Sequence, residues 1–436
     1  MSRPKRIAVV GGGYAGMAAA VRLVQAGCTV QVFEAGPALG GRARRVNVPE
    51  GELDNGQHLL LGAYGTLLGL MREVGVDPAQ VFLDAPLDLQ VDPDFRLHCP
   101  DLPAPLHSLV GLLRAQGLSV SGKLALVRAL LQAQLARWRT RPDWTVRDWL
   151  QARAQPADLI ERFWRPLTVA ALNTPPEIAS AQVLLNVLRD SLGGPAFASH
   201  MLFPRVDFSA LWPEPAGRYV ERHGGKIQCG SMVRRIEPIA AGYQIDAAPD
   251  DAFDGVVLAV SPHRLQSVTA NLPALADTAA RLQQWPYQPI VTVYSQYDAV
   301  CQLSAPMLGR STGVCQWIFD RNYTHATPGL IAVVISANGA HMQWSQAELA
   351  AQVATELGAA YGWPAPRWQR VISEKRATFA CTPDLQRPPN ATPYNTVWLA
   401  GDYTAGDYPA TLEGAVRSGV AAAVGLMIEL NKEQQA

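Results

Sequence analysis

A chain of 436 residues that is 48% hydrophobic and 17% charged is long enough for two or three domains and too apolar to be disordered. Lys plus Arg equals Asp plus Glu, 37 against 37, which excludes a protein held to nucleic acid by bulk charge. The six cysteines are scattered with no CxxC pair, so neither a disulfide framework nor a zinc site is expected, and a reducing, cytoplasmic setting is. The basic start (Arg3, Lys5, Arg6) meets an apolar run of only four residues before three glycines, so no signal peptide is expected. No apolar run reaches the 18 residues that would mark a transmembrane helix.

Ile7–Val10 reads as a buried parallel strand, Tyr14–Ala26 as an alanine-rich helix closed by Gly27, and Thr29–Glu34 as a second strand. At the first turn stands Gly11-x-Gly13-x-x-Gly16. Its first glycine allows the tight turn, the second lets a pyrophosphate approach the backbone, and the third lets helix and strand pack closely. The helix N-terminus offers free N–H groups to phosphate, and Glu34 stands where an acid bonds a ribose hydroxyl. Strand, helix, strand and terminal acid together predict a dinucleotide-binding unit.

Soon after follow Leu39-Gly40-Gly41-Arg42-Ala43-Arg44, a second glycine cradle with a cation, and Asp54-Asn55-Gly56-Gln57-His58. Later, Ala216–His223 predicts a helix, Gly224-Gly225 leads toward Val233, and Asp254–Val260 predicts a buried strand. Near the end, Val397–Ala400 predicts a strand closed by Gly401-Asp402. A helix then starts at Thr411 and runs to about Leu430.

These motifs resemble the FAD-binding segments of the flavin amine oxidase and carotenoid desaturase superfamily. The more specific stretches are Phe163-Trp164-Arg165-Pro166-Leu167 to Ala171-Leu172-Asn173-Thr174, Val183–Leu192, Leu202–Ser209 and Glu374–Phe379 before Arg387. They resemble the hydroxysqualene dehydroxylases, the squalene-associated FAD-dependent desaturase family of bacterial hopanoid pathways, over almost the whole length. Amine oxidases of the superfamily carry a cage tyrosine where this chain has Thr411; plant-type carotene desaturases are the alternative enzyme reading. A non-catalytic isoprenoid carrier of the same fold is a further alternative, and the intact glycine motifs, Glu34, Arg42 and Asp402 favour an enzyme.

The resemblance implies an α/β fold: a Rossmann-like FAD-binding domain with an inserted α+β substrate domain. The expected segments are 1–95, 205–270 and 385–436 for the FAD-binding domain, and 96–204 and 271–384 for the substrate domain. FAD is expected against Gly11, Gly13, Tyr14, Ala15, Gly16, Glu34 and Ala35, then Gly41, Arg42, Gly56, Gln57 and His58. From the later segments Val233, Gly401, Asp402, Thr411, Leu412 and Ala415 are expected to join them. No metal is expected.

By the same resemblance the substrate is hydroxysqualene, a long apolar isoprenoid alcohol, and the product squalene. Loss of an allylic hydroxyl leaves a delocalised cation that a hydride from reduced flavin can quench. The leaving oxygen needs a proton, so a general acid is needed. His58 and Lys375 are the candidates, with Asp54 and Tyr408 also open.

One segment stands apart. Pro103–Arg141 holds Arg114, Lys123, Arg128, Arg137, Arg139 and Arg141 and no acid. Leu124, Val127, Leu131, Leu135 and Trp138 recur there at helical spacing. Such a helix can lie in an anionic bilayer interface, at the inner face of the plasma membrane, or pack its stripe into the core.

Overall fold

The computed structural model describes residues 3–435, and for 433–435 the backbone alone. In chain order it starts with β1 (Arg6–Val10), α1 (Tyr14–Gln25) and β2 (Thr29–Phe33). Next come β3 (Asp88–Asp92), β4 (Phe95–His98), α2 (Leu106–Arg114), α3 (Val120–Leu135), α4 (Arg165–Leu172) and α5 (Ala181–Ser191). The second half contains β5 (Lys226–Gln228), β6 (Gly255–Leu258), β7 (Tyr287–Gln296), β8 (Met307–Arg310), β9 (Trp317–Asp320) and β10 (Leu330–Ser336). It closes with α6 (Gln346–Tyr361), β11 (Trp368–Phe379), β12 (Val397–Leu399) and α7 (Leu412–Gln435). Shorter elements connect these.

The first sheet is parallel throughout, in the order β5-β2-β1-β6-β12. Its strands are apolar on both faces because both faces are covered. Ile7 and Val9 pack with α1 and α7, while Ala8 and Val10 pack with Tyr243 and Phe253 of an antiparallel meander over residues 236–253. The first and last helices are locked together at a glycine: a Cβ on Gly419 would stand 2.1 Å from the Ala15 carbonyl oxygen. The chain's two ends therefore build one layer.

The second sheet has seven strands in the order β11-β7-β10-β9-β8-β3-β4. All its neighbours are antiparallel except β8 and β3. Leu349, Val353 and Leu357 of α6 cover one face of it, against Val293, Ile331 and Val333.

This sheet corrects the expected domain limits. β3 and β4, at residues 88–98, pair into the second sheet, so the limit expected at residue 95 falls inside that strand pair. No helix among the described residues is long and apolar enough to cross a membrane.

The basic segment also turns out differently from a core helix. The buried side of α3 is Gly122, Leu126, Ala129 and Ala133, mostly small residues. Leu124, Leu131 and Leu135 point outward; Val127 and Trp138 are half-buried.

Candidate active site

The β1–α1 turn is built by backbone crowding. Gly11 has φ +111°, and a Cβ there would stand 2.4 Å from the Ala259 carbonyl oxygen. A Cβ on Gly16 would stand 1.9 Å from the Gly11 carbonyl oxygen. Both positions accept only hydrogen. Gly13 differs: its nearest neighbour would be Gly41 Cα at 3.7 Å, so the space in front of it is open. Glu34, at the end of β2, accepts from the Gly12 and Gly36 N–H groups at 2.7 and 2.6 Å, which fixes its carboxylate at the rim of this opening. Glu34→Ala is expected to weaken nucleotide binding by roughly 10- to 100-fold, the worth of hydrogen bonds to a charged group, as read by flavin titration of the apoprotein.

The C-terminal motif meets this turn. Arg42 donates to Asp402 Oδ1 and to the Ala377 carbonyl, both at 2.6 Å. Arg387 clamps the following loop, donating to the carbonyls of Asp402, Gly406 and Tyr408. Thr411 caps α7 through its hydroxyl, which accepts from the Gly414 N–H at 3.1 Å. Glu413 is fully buried and accepts from the Thr66 and Leu67 N–H groups at 3.0 and 2.9 Å, tying α7 to the short helix Gly65–Glu73. The N-terminal end of α7 is thereby held at the wall of one cavity.

That cavity measures about 800 Å³ and collects almost every residue expected to touch a cofactor. Gly11, Gly13, Tyr14, Ala15, Glu34 and Ala35 border it, as do Gly41, Arg42, Gly56, Gln57 and His58. Val233, Gly401, Asp402, Thr411, Leu412 and Ala415 border it from the later segments. Gly16 does not; it lies beneath the turn against Gly11. Tyr403 also faces the cavity, 1% exposed, and its hydroxyl has no hydrogen-bond partner among the described residues.

The four candidate acids separate sharply. Lys375 is exposed and outside the cavity, whereas its neighbours Glu374, Ala377 and Thr378 line it, so the sequence-based assignment of Lys375 is corrected. Burial, with the Arg42 cation nearby, pushes the His58 imidazole down to about 4. The neutral imidazole is thereby favoured, and His58 stands in the cavity wall edge-on to Phe208 at 5.0 Å. Asp54 lies outside the cavity, fully buried, accepting from the Phe208 N–H at 2.9 Å and paired with Arg321 at 3.1 Å. Burial raises its carboxyl pKa, against the pull of Arg321. Tyr408 alone combines a cavity position with a polar partner: its hydroxyl donates to Asp190 of α5, which also faces the cavity and is held by Arg189 at 2.6 Å.

Asp54 instead anchors a network that sequence reasoning missed. Arg321 also donates to Gln57 Oε1 at 2.9 Å, Gln57 donates to the Tyr294 hydroxyl at 2.9 Å, and Tyr294 donates back to the Asp54 carbonyl at 3.0 Å. The ring fixes Gly56-Gln57-His58 at the cavity wall. Asp54→Ala would strand the Arg321 guanidinium, 5% exposed, without its carboxylate. The expected loss is about 3–5 kcal/mol of stability, measured by denaturant unfolding.

Beyond the turn the cavity becomes apolar. Leu89, Leu97, Met307 and Trp317 of the second sheet line it, with Leu167 of α4 and Phe163 just before α4. Asn173 ends α4 in a left-handed conformation, φ +47°. Its side chain donates to Thr378 Oγ1 at 2.9 Å and accepts from the Ala337 N–H at 2.6 Å. This staples α4 to β11 and to the chain just past β10, and gives a physical reason for the Ala-Leu-Asn-Thr sequence.

A family model described as flavin containing amine oxidoreductase matches residues 14–427. The chain is 32% identical to a hydroxysqualene dehydroxylase of Rhodopseudomonas palustris, over 96% of this chain and 97% of that one. It is 28% identical to a hydroxysqualene dehydroxylase of Sinorhizobium fredii over 98% and 100% of the two chains. A zeta-carotene desaturase of Synechocystis sp. matches at 23% identity over 99% of each. Among solved structures, cyclohexylamine oxidase from Brevibacterium oxydans superposes with a TM-score of 0.71 at 19% identity, covering 98% of this chain and 100% of that one. An oxidoreductase from Methanosarcina mazei superposes with a TM-score of 0.73 at 16% identity, covering 96% and 99%. At such identities the structural likeness speaks for the fold, and the sequence relatives speak for the family. With a glycine cradle joined to a C-terminal Gly-Asp platform and these matches along nearly its full length, the chain belongs to the flavin-containing amine oxidoreductases and, within them, to the hydroxysqualene dehydroxylase family.

Proposed function

We propose that the chain is an FAD-dependent enzyme that reduces hydroxysqualene to squalene, in the service of hopanoid synthesis. The observation that carries this reading is a cavity that begins at a glycine cradle and continues as a largely apolar chamber, with the polar pair Asp190–Tyr408 on its wall. Kinship adds weight: identity is higher to named dehydroxylases than to the desaturases.

The residues fit FAD. Gly11 and Gly16 leave no room for a side chain, Gly13 leaves its space open, and the Tyr403 hydroxyl is a buried polar group awaiting a partner. Glu34 would bond a ribose, the turn and Arg42 would hold phosphates, and the N-terminal end of α7 would favour negative charge on the ring system. When bound and reduced, FAD supplies a hydride.

The net change is an allylic alcohol plus a proton and a hydride giving a hydrocarbon plus water. The protein's part is to deliver the proton, shield the cation and exclude water. Tyr408 is the proton donor by position, its hydroxyl at the cavity wall on Asp190; burial, then Asp190, raises the phenol pKa, so the proton leaves only as the allylic oxygen departs. Asp190 is kept ionised by Arg189 and Tyr408, its pKa lowered despite burial, and a carboxylate at the wall favours positive charge developing in the chamber. Leu89, Leu97, Phe163 and Trp317 hold the chain dry.

The test is incubation, without oxygen, of the reduced protein with hydroxysqualene and, separately, of the oxidised protein with zeta-carotene. Squalene is the expected product from the first; oxidation of zeta-carotene by the oxidised protein with hydroxysqualene inert would replace this reading by a desaturase.

A further inference from the structure

We infer that α2 and α3 form a docking surface for an anionic lipid bilayer. Seven of the seventeen large apolar side chains exposed among the described residues lie between residues 106 and 135, which marks this pair of helices as the least covered apolar surface. On α2 they are Leu106, Leu109 and Leu113; on α3 they are Val120, Leu124, Leu131 and Leu135, the last 85% exposed. The spacing puts each set on one outward helix face, with His107, Gly111 and Leu112 on the buried side of α2 and Leu126, Ala129 and Ala133 on that of α3. Four of the large apolar side chains of α3 thus face outward, while its inner side is Leu126 with the small residues Gly122, Ala129 and Ala133.

Charge selects the occupant. Arg114, Lys123, Arg128, Arg137, Arg139 and Arg141 border this surface, and no acid occurs between residues 102 and 142. None of the six is in an ion pair among the described residues; Lys123 and Arg128 reach only backbone carbonyls. A second copy of the chain would bring the same uncompensated cations face to face, whereas an anionic lipid surface neutralises them while taking up the leucines. Beside α2 lies a recess of about 260 Å³ lined by Arg96, His98, Pro100, Arg114 and Gln116; Arg96 is paired with Asp88 at 2.6 Å, which leaves Arg114 as its unpaired cation.

The surface also lies over the chamber. α2 packs against β4, whose Leu97 lines the cavity. A hydrocarbon substrate held in the bilayer would thus be one helix away from the apolar chamber. This last step rests on the proposed reaction; the docking itself does not.

The experiment is co-sedimentation of the holoprotein with vesicles of phosphatidylcholine alone and of phosphatidylcholine mixed with phosphatidylglycerol, without substrate. Binding is expected on the mixed vesicles, weakened but not abolished by salt, because the leucines are insensitive to screening. The variant Arg137→Glu/Arg139→Glu/Arg141→Glu is expected to lose about tenfold or more in partitioning, and Leu131→Glu/Leu135→Glu a comparable amount. Both sets lie on exposed positions away from the flavin, so flavin absorbance and activity on detergent-dispersed substrate stay at the wild-type level. Wild-type protein left in the supernatant with mixed vesicles, equal binding to both vesicle types, or variants that bind like wild type would each overturn the inference. So would a concentration-dependent dimer abolished by Leu131→Glu/Leu135→Glu. Failure of the enzyme to reduce hydroxysqualene would leave the vesicle result unchanged, so the two readings fail separately.

Discussion

Gly13→Ala is expected to give a folded, stable and colourless protein. The backbone at Gly13 is extended, φ −75° and ψ −176°, which alanine adopts freely. Its Cβ would meet nothing inside the protein nearer than 3.7 Å, so only the approach of the cofactor's phosphates is obstructed. Gly16→Ala reaches the same end differently, because its Cβ collides with the Gly11 carbonyl at 1.9 Å and the turn must open. Flavin affinity should fall by about 100-fold or more in both, since the cradle's hydrogen bonds and the close approach are lost together. Thermal unfolding separates them: Gly13→Ala should unfold like the apoprotein, and Gly16→Ala earlier. Wild-type flavin content in Gly13→Ala would mean that the nucleotide does not lie over this turn.

Tyr408→Phe is expected to keep its flavin and lose turnover by about 10²–10⁴-fold, the usual worth of a positioned general acid. The phenyl ring can still occupy the site beside the Arg417 guanidinium, 4.5 Å from the ring centroid in the wild type, so packing is retained. Asp190→Asn should fall between wild type and Tyr408→Phe, because the amide can still orient the hydroxyl but carries no charge to favour the cation. Single-turnover reoxidation of the reduced protein by hydroxysqualene, with the flavin spectrum as the folding control, reads both effects. A Tyr408→Phe variant with wild-type turnover would remove Tyr408 as the acid.

The glycine turn and the C-terminal Gly-Asp strand end are legible because their signals are local. Gly11, Gly13 and Gly16 report a turn within one βαβ unit, and Gly401-Asp402 reports the end of one strand. The acid was not legible, for reasons that particular residues make plain. Asp54 looked reactive because its partner Arg321 lies 267 residues away and no local pattern announces the pairing. Lys375 was chosen from a strand whose inward phase cannot be counted: between the pairs Gln288↔Thr378 and Ile290↔Glu374 the register shifts, so simple alternation fails there.

The basic helix shows a different limit. Periodicity located its apolar stripe, but a stripe of leucines has the same period whether it faces a core or a membrane. Only the small inner residues Ala129 and Ala133, packed in the cluster that holds Leu126, reveal which side is covered. The expected limit at residue 95 cuts through the β3–β4 pair, which joins the second sheet through β3 and β8, a pairing across more than 200 residues that no local pattern announces.

The central claim is reduction of an allylic alcohol by hydride from a bound flavin. It is tested most directly by a single anaerobic turnover of dithionite-reduced protein with hydroxysqualene in D₂O, where the transferable hydrogen of reduced flavin exchanges with solvent. The account predicts one squalene, carrying one carbon-bound deuterium, for each flavin reoxidised. Flavin that stays reduced while hydroxysqualene is recovered unchanged would contradict it.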